Sequence, residues 1–377
     1  MTEIFRDFVS PSLTLLETSG IAGSEAQHVA ARELLHFAES NPFTLRVLER
    51  FAYQGKRFED PRLRASFGGL TFENPVMVGA GWDKPGRAVR ALYQLGFSGV
   101  EVGTVLAHPQ PGNPKPRQFV IGPGIAINQL GFNSTGMKDV ARNLESYRFS
   151  GEPVIGVSVG KNKEVAAKDA PYAHAIVVQR LYEYADYFAL NVSSPNTPNL
   201  RELQDKKPLT DNVQAINDVM DAKGLRKPLF VKIAPELTLE AIDDVIEVVV
   251  DNGLAGIIAT NATNNVELKR KYGDPRADQP SGFSGDIPEF RKMVNERVAH
   301  VFRKVGDKID VIGVGGINNT ETALERIRNG ARIIQVVTSI RQVGTSLPGR
   351  INRGLVEYMQ KEGFKSLSEI VGIDATK

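Results

Sequence analysis

The hydrophobic rhythm of the chain changes near residue 75. Before it, apolar residues recur at helical spacing. Ala26, Val29, Ala30, Leu34, Phe37 and Ala38 fall on one face of a helix. Ser24 and Gln27 read as its capping box, serine at the N-cap and glutamine at N3. A second helix is expected after Pro42, with Leu45, Val47, Leu48 and Phe51, and an earlier one carries Ile4, Phe5, Phe8 and Val9 before Pro11. Residues 62–74 alternate about Gly68 and Gly69, which predicts a hairpin.

After residue 74 a beat repeats: short apolar run, loop, helical pattern. The runs are 76–80, 99–103, 154–159, 187–192, 229–234, 255–260, 311–314 and 333–337. The helical patterns cover 87–95, 137–147, 172–184, 209–220, 239–252, 288–305, 321–329 and 350–361. The β-branched runs lack polar alternation, as expected of parallel strands covered on both faces. Eight strand–helix units predict an α/β fold, a (β/α)8 TIM barrel more than a doubly wound sheet. The chain has 377 residues. Length alone, at about 150 residues per domain, would allow two or three domains, but a barrel of roughly 250 residues folds as one. The expected division is a helical module over residues 1–61 and a barrel over 62–377.

Composition narrows the function. Apolar residues at 41% and charged residues at 24% exclude a disordered chain. The 46 basic and 44 acidic side chains leave a net charge of +2, so no nucleic-acid partner is expected. Cysteine is absent, which excludes disulfides, thiolate-held zinc or iron–sulfur groups and a cysteine nucleophile. The five histidines show no ligand spacing, so no metal site is expected. No apolar run reaches the 18 or so residues that span a bilayer. The helical module is read either as a cap on the barrel or as a surface that dips into a membrane interface. Residues 1–70 hold eight Lys/Arg and nine Asp/Glu, so membrane contact would be hydrophobic rather than electrostatic.

In a barrel the reactive groups follow the strands, on the C-terminal face. After strand 7 comes Gly313-Val314-Gly315-Gly316-Ile317, followed by a helix start, and after strand 8 come Thr338 and Ser339. Glycine N–H groups at a helix start suit an anion, and these two loops form the usual barrel phosphate site. After strand 4 comes a polar, proline-stiffened loop, Asn191 to Asn199. Its amides both donate and accept, which matches the alternating C=O and N–H of a cyclic imide. Asn128 and Asn261 add two more amides. Lys84 follows strand 1 and can bind a carboxylate. Lys232 sits inside the apolar run Phe230-Val231-Lys232-Ile233, where a cation is costly unless an anion answers it.

These segments together resemble the quinone-dependent (class 2) dihydroorotate dehydrogenases. The matching stretches are AGWDKPG at 80–86, EVGTV at 101–105, PQPGNPKPR at 109–117, INQLGFN at 127–133, GKNK at 160–163, NVSSPNTPNLR at 191–201, VKIAPEL at 231–237, ATNAT at 259–263 and GVGG at 313–316. The resemblance implies an FMN-containing barrel that oxidises dihydroorotate to orotate in pyrimidine (UMP) synthesis. Ser194 matches the catalytic base, which takes a proton from C5 while hydride leaves C6 for flavin N5. Lys84, Asn128, Gly131, Phe132, Asn191, Asn196 and Asn261 match the substrate pocket. Ala80, Gly81, Gly103, Thr104, Ser158, Asn191, Lys232, Thr260, Gly285, Gly315, Gly316 and Thr338 match the cofactor site. The N-terminal extension matches a tunnel for membrane quinone, and His28 matches a histidine of that tunnel. Class 1 members use a cysteine base, which this chain lacks. If the source is bacterial, the resemblance implies a peripheral protein on the cytoplasmic face of the membrane. A mitochondrial inner-membrane location is not expected, for lack of a targeting segment.

Several positions depart from the family pattern. Ser158 stands where an asparagine is usual near the flavin, Ala262 replaces a threonine, Ser281 a glycine and Gln129 a frequent arginine. Val120 stands where class 2 members commonly carry an arginine at the quinone site, and Val337 replaces a tyrosine between flavin phosphate and tunnel. The expectation is a complete orotate pocket with altered quinone contacts. Two alternatives remain: a flavin barrel acting on another small cyclic acid, and a non-catalytic barrel that binds a nucleotide or membrane.

Overall fold

The computed structural model describes residue 12 and residues 23–53, 57–147, 153–197 and 200–375. The expected helix with Ile4 to Val9 lies outside the described residues.

Eight parallel strands close into a barrel: β1 (Val76–Val78), β2 (Gly99–Val105), β3 (Val154–Val159), β4 (Tyr187–Asn191), β5 (Leu229–Ile233), β6 (Gly256–Ala259), β7 (Asp310–Val314) and β8 (Ile333–Val336). Each pairs with its neighbours in sequence, and β8 returns to β1 through Gln335 opposite Met77. All eight coincide with the apolar runs of the sequence. The strands are buried almost throughout, so no polar alternation marks an outer face.

Side-chain direction alternates along each strand, so inward residues fall at every second position. Glu101 of β2, Tyr187 of β4 and Gln335 of β8 meet inside the barrel. The Tyr187 ring lies over Gly156 of β3. A Cβ there would come within 2.1 Å of that ring, so only glycine leaves room. Below this layer Phe230 stacks on Phe67 with ring centroids 4.4 Å apart. Phe67 belongs to the hairpin Ala65–Phe67 and Leu70–Phe72, which closes the floor. Gly68 and Gly69, both at positive φ, make its two-residue turn, and the Gly68 N–H ties it to Asp310 at 2.7 Å.

Beside the barrel lies a three-stranded antiparallel sheet that no local sequence pattern predicts. It joins Gln118–Gly122, Ile125–Asn128 and Gly282–Gly285 and brings Asn128 opposite Gly282. Helix α1 (Ser24–Glu39) packs against this sheet and against the helix Val89–Gln94, with α2 (Pro42–Tyr53) beside it.

One expectation about α1 is corrected. There is no capping box: the N-cap is Gly23, whose carbonyl accepts the Gln27 N–H at 3.1 Å. Ser24 is already helical and buried, and its hydroxyl accepts from Gln118 (3.1 Å) and Arg341 (3.4 Å) instead. The apolar stripe points away from the barrel. Leu34 is 67% and Phe37 68% exposed, whereas Leu35 is buried. Polar residues hold the inner face. Glu25 pairs with Arg117 at 2.7 Å, His28 Nε2 bonds the Trp82 carbonyl at 2.7 Å, and Glu39 accepts from Tyr147. Hydrogen bonds to the barrel therefore set the rotation of this helix, and the stripe is left in solvent.

Candidate active site

The C-terminal ends of the strands, the side sheet and the inner face of α1 enclose a cavity of about 500 Å³. Its deep end is built by strand-end residues. Asn191 closes β4, and its amide donates to Thr104 Oγ1 at 2.8 Å. Thr104 in turn lies 3.0 Å from Ser158 Oγ. Asn261, just past β6, donates to Ser193 Oγ (3.1 Å) and to Asn191 Oδ1 (3.3 Å). Asn196 donates to Asn128 Oδ1 at 2.9 Å, which links the β4 loop to the side sheet. Four asparagines from three separate segments thus share one wall. Asn196 Oδ1 is buried and has no hydrogen-bond partner among the described residues.

Ser194 lies in this wall, buried, its Oγ accepting the Asn196 N–H at 3.3 Å. Phe132 lines the cavity at a positive φ of 53°. Pro198 and Asn199 of the same β4 loop lie outside the described residues.

Lys84 stands in the cavity with its ammonium on Asn133 Oδ1. The loop that carries it is folded by Asp83, which is buried and accepts the N–H groups of Arg87 (3.0 Å) and Ala88 (2.8 Å). Burial brings the Lys84 pKa down to about 7, with the like charge of Arg117 adding to the effect and Glu25 opposing it.

Lys232 enters from β5. Burial pulls its pKa down, and the Glu101 carboxylate opposes this, at 3.9 Å. Among the described residues the Lys232 ammonium donates no hydrogen bond. Glu101 Oε2 accepts from Tyr187 (2.9 Å) and Gln335 (2.7 Å), whereas Oε1 has no hydrogen-bond partner among the described residues. Burial and the Glu101 charge push the Tyr187 phenol well above its ordinary pKa, so it remains a donor. Sequence reading missed Glu101. The signal was present: a carboxylate in Gly-Val-Glu-Val-Gly, an apolar run, breaks the same rule as Lys232.

Ala80, Gly81, Thr260, Gly285, Gly315, Gly316 and Thr338 all line the cavity. Gly81 has φ +109°, and a Cβ there would meet nothing within 4 Å. Thr338 begins the short helix after β8 and lies 3.0 Å from Ser284 Oγ. Three expected residues do not line the cavity. Gly103 lies behind it, accepting the Gly81 N–H at 2.9 Å, and a Cβ there would strike the Val105 nitrogen at 2.6 Å. Ser158 is one hydroxyl removed, reaching the wall through Thr104. Gly131 shapes the turn under Phe132, its carbonyl held by Gln110 at 3.0 Å. Their side chains are absent or too short to reach the cavity.

The outer end of the cavity passes between α1, α2 and the side sheet. Leu34, Leu35 and Leu48 line it beside His28, Val120, Val337 and Arg341. Burial holds the His28 pKa down at about 4, so near neutral pH the ring is uncharged. Its Nε2 then carries the proton given to the Trp82 carbonyl. The described residues include no helix long and apolar enough to cross a membrane.

Comparison with known proteins agrees with this geometry. A family model described as "Dihydroorotate dehydrogenase" matches residues 62–359. A dihydroorotate dehydrogenase (quinone) from Natronomonas pharaonis is 39% identical over 354 residues, covering 93% of this chain and 95% of the relative. One from Sinorhizobium medicae is 42% identical over 316 residues, covering 82% and 85%. The crystal structure of dihydroorotate dehydrogenase from Eimeria tenella in complex with ferulenol superposes with a TM-score of 0.83 at 31% identity, covering 93% of this chain and 95% of that one. The barrel and its cavity are those of an oxidoreductase. The chain belongs to the dihydroorotate dehydrogenase family, among relatives of the quinone-dependent kind.

Proposed function

We propose that this chain oxidises dihydroorotate to orotate through a bound FMN, with Ser194 as the base and a membrane quinone as the electron acceptor. The observation that carries the reading is the convergence of Ser194 and four asparagine amides on one cavity that also receives Lys84 and Lys232.

The residues fit a flavin. The buried Lys232 ammonium, which donates no hydrogen bond among the described residues, lines the same cavity as Gly81, where a Cβ would meet nothing within 4 Å, and Gly315 and Gly316, just after β7, share that cavity with Thr338. When bound, FMN supplies the hydride acceptor, and Lys232 lies where positive charge favours an electron-rich ring. Lys84 would hold the substrate carboxylate. Asn196 Oδ1 offers its unused acceptor to a ring N–H, and the remaining amides orient the ring carbonyls. Ser194 presents its oxygen to C5, held by the Asn196 N–H. A serine is a weak base, so its proton passes onward to water as the C–H bond breaks.

Residues 1–61 form the quinone module in this reading. The acceptor end carries valines at 120 and 337, so its polar contacts come from Ser24, Gln118 and Arg341. His28 is uncharged, so it offers the acceptor an aromatic wall and a ring nitrogen, and no charge. The exposed Leu34, Phe37 and Phe43 would rest on the bilayer at its cytoplasmic face.

An anaerobic absorbance experiment tests the whole sequence. Purified protein should show an oxidised flavin spectrum that dihydroorotate bleaches and decylubiquinone or menadione restores. Absence of bleaching would contradict the substrate. Bleaching that neither quinone reverses would contradict the acceptor.

A further inference from the structure

Arg326 lies on the helix Thr320–Arg328 that follows β7, and its side chain is fully buried. Its stem packs over Gly313, where a Cβ would come within 2.4 Å of Arg326 Cγ. The guanidinium makes three hydrogen bonds, all to neutral acceptors: the Val314 carbonyl (3.2 Å), the Gly315 carbonyl (3.0 Å) and Asn295 Oδ1 (2.6 Å). Among the described residues no carboxylate pairs with it. The nearby Glu325 is engaged by Arg291 at 3.1 Å. Burial lowers the Arg326 pKa to about 9, so it is still a cation near neutral pH.

A buried cation without a counter-charge is expensive, and proteins keep one where an anion answers it. Glu325 opposes the shift and Arg291 adds to it, so among the described residues no close anion answers the guanidinium. Val314, Gly315 and Gly316 line the cavity directly in front of the guanidinium. The Val314 carbonyl is shared between Arg326 and the Thr260 N–H (3.2 Å) and the Gly315 carbonyl goes to Arg326, so the next N–H groups are left for the cavity. Those of Gly316 and Ile317 have no acceptor among the described residues. Gly315 at φ +112° and Gly316 at φ +69° permit this reversal of the backbone.

We infer that Arg326 is a positioning residue for a phosphomonoester dianion: it holds the β7 loop from behind, aims backbone donors at the phosphate and supplies the positive charge that balances it. The inference rests on the flavin reading and assigns this loop to the phosphate end of the cofactor. Arg326 does not touch the ligand, so a purely structural role would affect any flavin alike. A role toward phosphate affects only the phosphorylated form.

The test strips the protein of flavin and titrates it with FMN and with riboflavin, following flavin fluorescence. Wild type should prefer FMN strongly. Arg326→Met should weaken FMN by roughly tenfold or more, the scale of lost hydrogen bonding around a charged group, and leave riboflavin within about threefold. Arg326→Lys, which keeps the charge, should recover part of the preference. Should Arg326→Met fail to fold, Asn295→Ala decides. It frees one side of the guanidinium from a half-buried position, and it too should lower the FMN-to-riboflavin ratio. Equal weakening of both flavins, or an unchanged ratio in Asn295→Ala and Arg326→Lys, would overturn the inference. A wild type that binds neither flavin would overturn the flavin reading beneath it.

Discussion

Lys232 Nζ stands 3.9 Å from Glu101 Oε1 inside the barrel, and both side chains are almost wholly shielded from solvent. The pair is too long for a good hydrogen bond, so its attraction is mainly coulombic. Tyr187 and Gln335 hold Glu101 from the other side. The lysine is therefore free to direct its ammonium to the cavity, while the carboxylate moderates its charge.

The potential of the bound flavin should report that balance. Lys232→Met removes the cation and should lower the potential by roughly 30 mV or more, the equivalent of about 1.4 kcal/mol for a two-electron couple. Glu101→Gln removes the opposing carboxylate and should shift it upward. A dye-coupled redox titration measures both. Shifts in the same direction, or none, would remove Lys232 and Glu101 from any electronic role.

Lys84 gives orotate binding a pH dependence with a definite sign. Its pKa of about 7 means that the ammonium is progressively lost as pH rises through neutrality. A carboxylate ligand prefers the protonated form, so affinity should be full below pH 7 and fall above it. Between pH 7 and 8.5 the orotate dissociation constant should rise roughly tenfold, the limit being one decade per pH unit for one linked proton. Lys84→Met should bind weakly and show a flat profile. Calorimetric titration across this range decides, and a flat wild-type profile would detach Lys84 from the carboxylate.

The outward face of α1 and the start of α2 present Phe37 and Phe43, each more than two-thirds exposed and neither lining the cavity. Serine at both positions should cost little stability, because surface substitutions usually fall within about 0.5 kcal/mol. Vesicle co-sedimentation should drop at least tenfold, since burying one such side chain contributes about 1.5–3 kcal/mol. Turnover with a water-soluble quinone should be unchanged. Undiminished sedimentation would place the membrane contact elsewhere.

The barrel was legible because its strands are apolar and β-branched throughout and each is followed by a helical period. The Asn191–Thr197 loop and Lys232 were legible for related reasons, one through amide density and the other through a charge in an apolar run. The side sheet was not. Its strand Gln118–Gly122 is half-buried along its whole length, and its partner Gly282–Gly285 arrives from a distant segment, so neither local alternation nor spacing marks it. Asn128 was therefore identified without the scaffold that positions it. The α1 cap failed for a different reason. Ser24 satisfies the local capping pattern, but Gln118 and Arg341 claim its hydroxyl, and a tertiary contact overrode the local one. Glu101 carries a signal, a carboxylate inside an apolar run, whereas Arg326 carries none, because an arginine on an amphipathic helix is ordinary.

The central claim is that the Ser194 hydroxyl removes the substrate proton. Anaerobic stopped-flow mixing with dihydroorotate measures this step directly as loss of oxidised flavin absorbance. Ser194→Ala should retain its flavin and bleach more slowly than wild type by about 10² or more at neutral pH, the contribution of a general base. Bleaching at the wild-type rate in that variant would contradict the account.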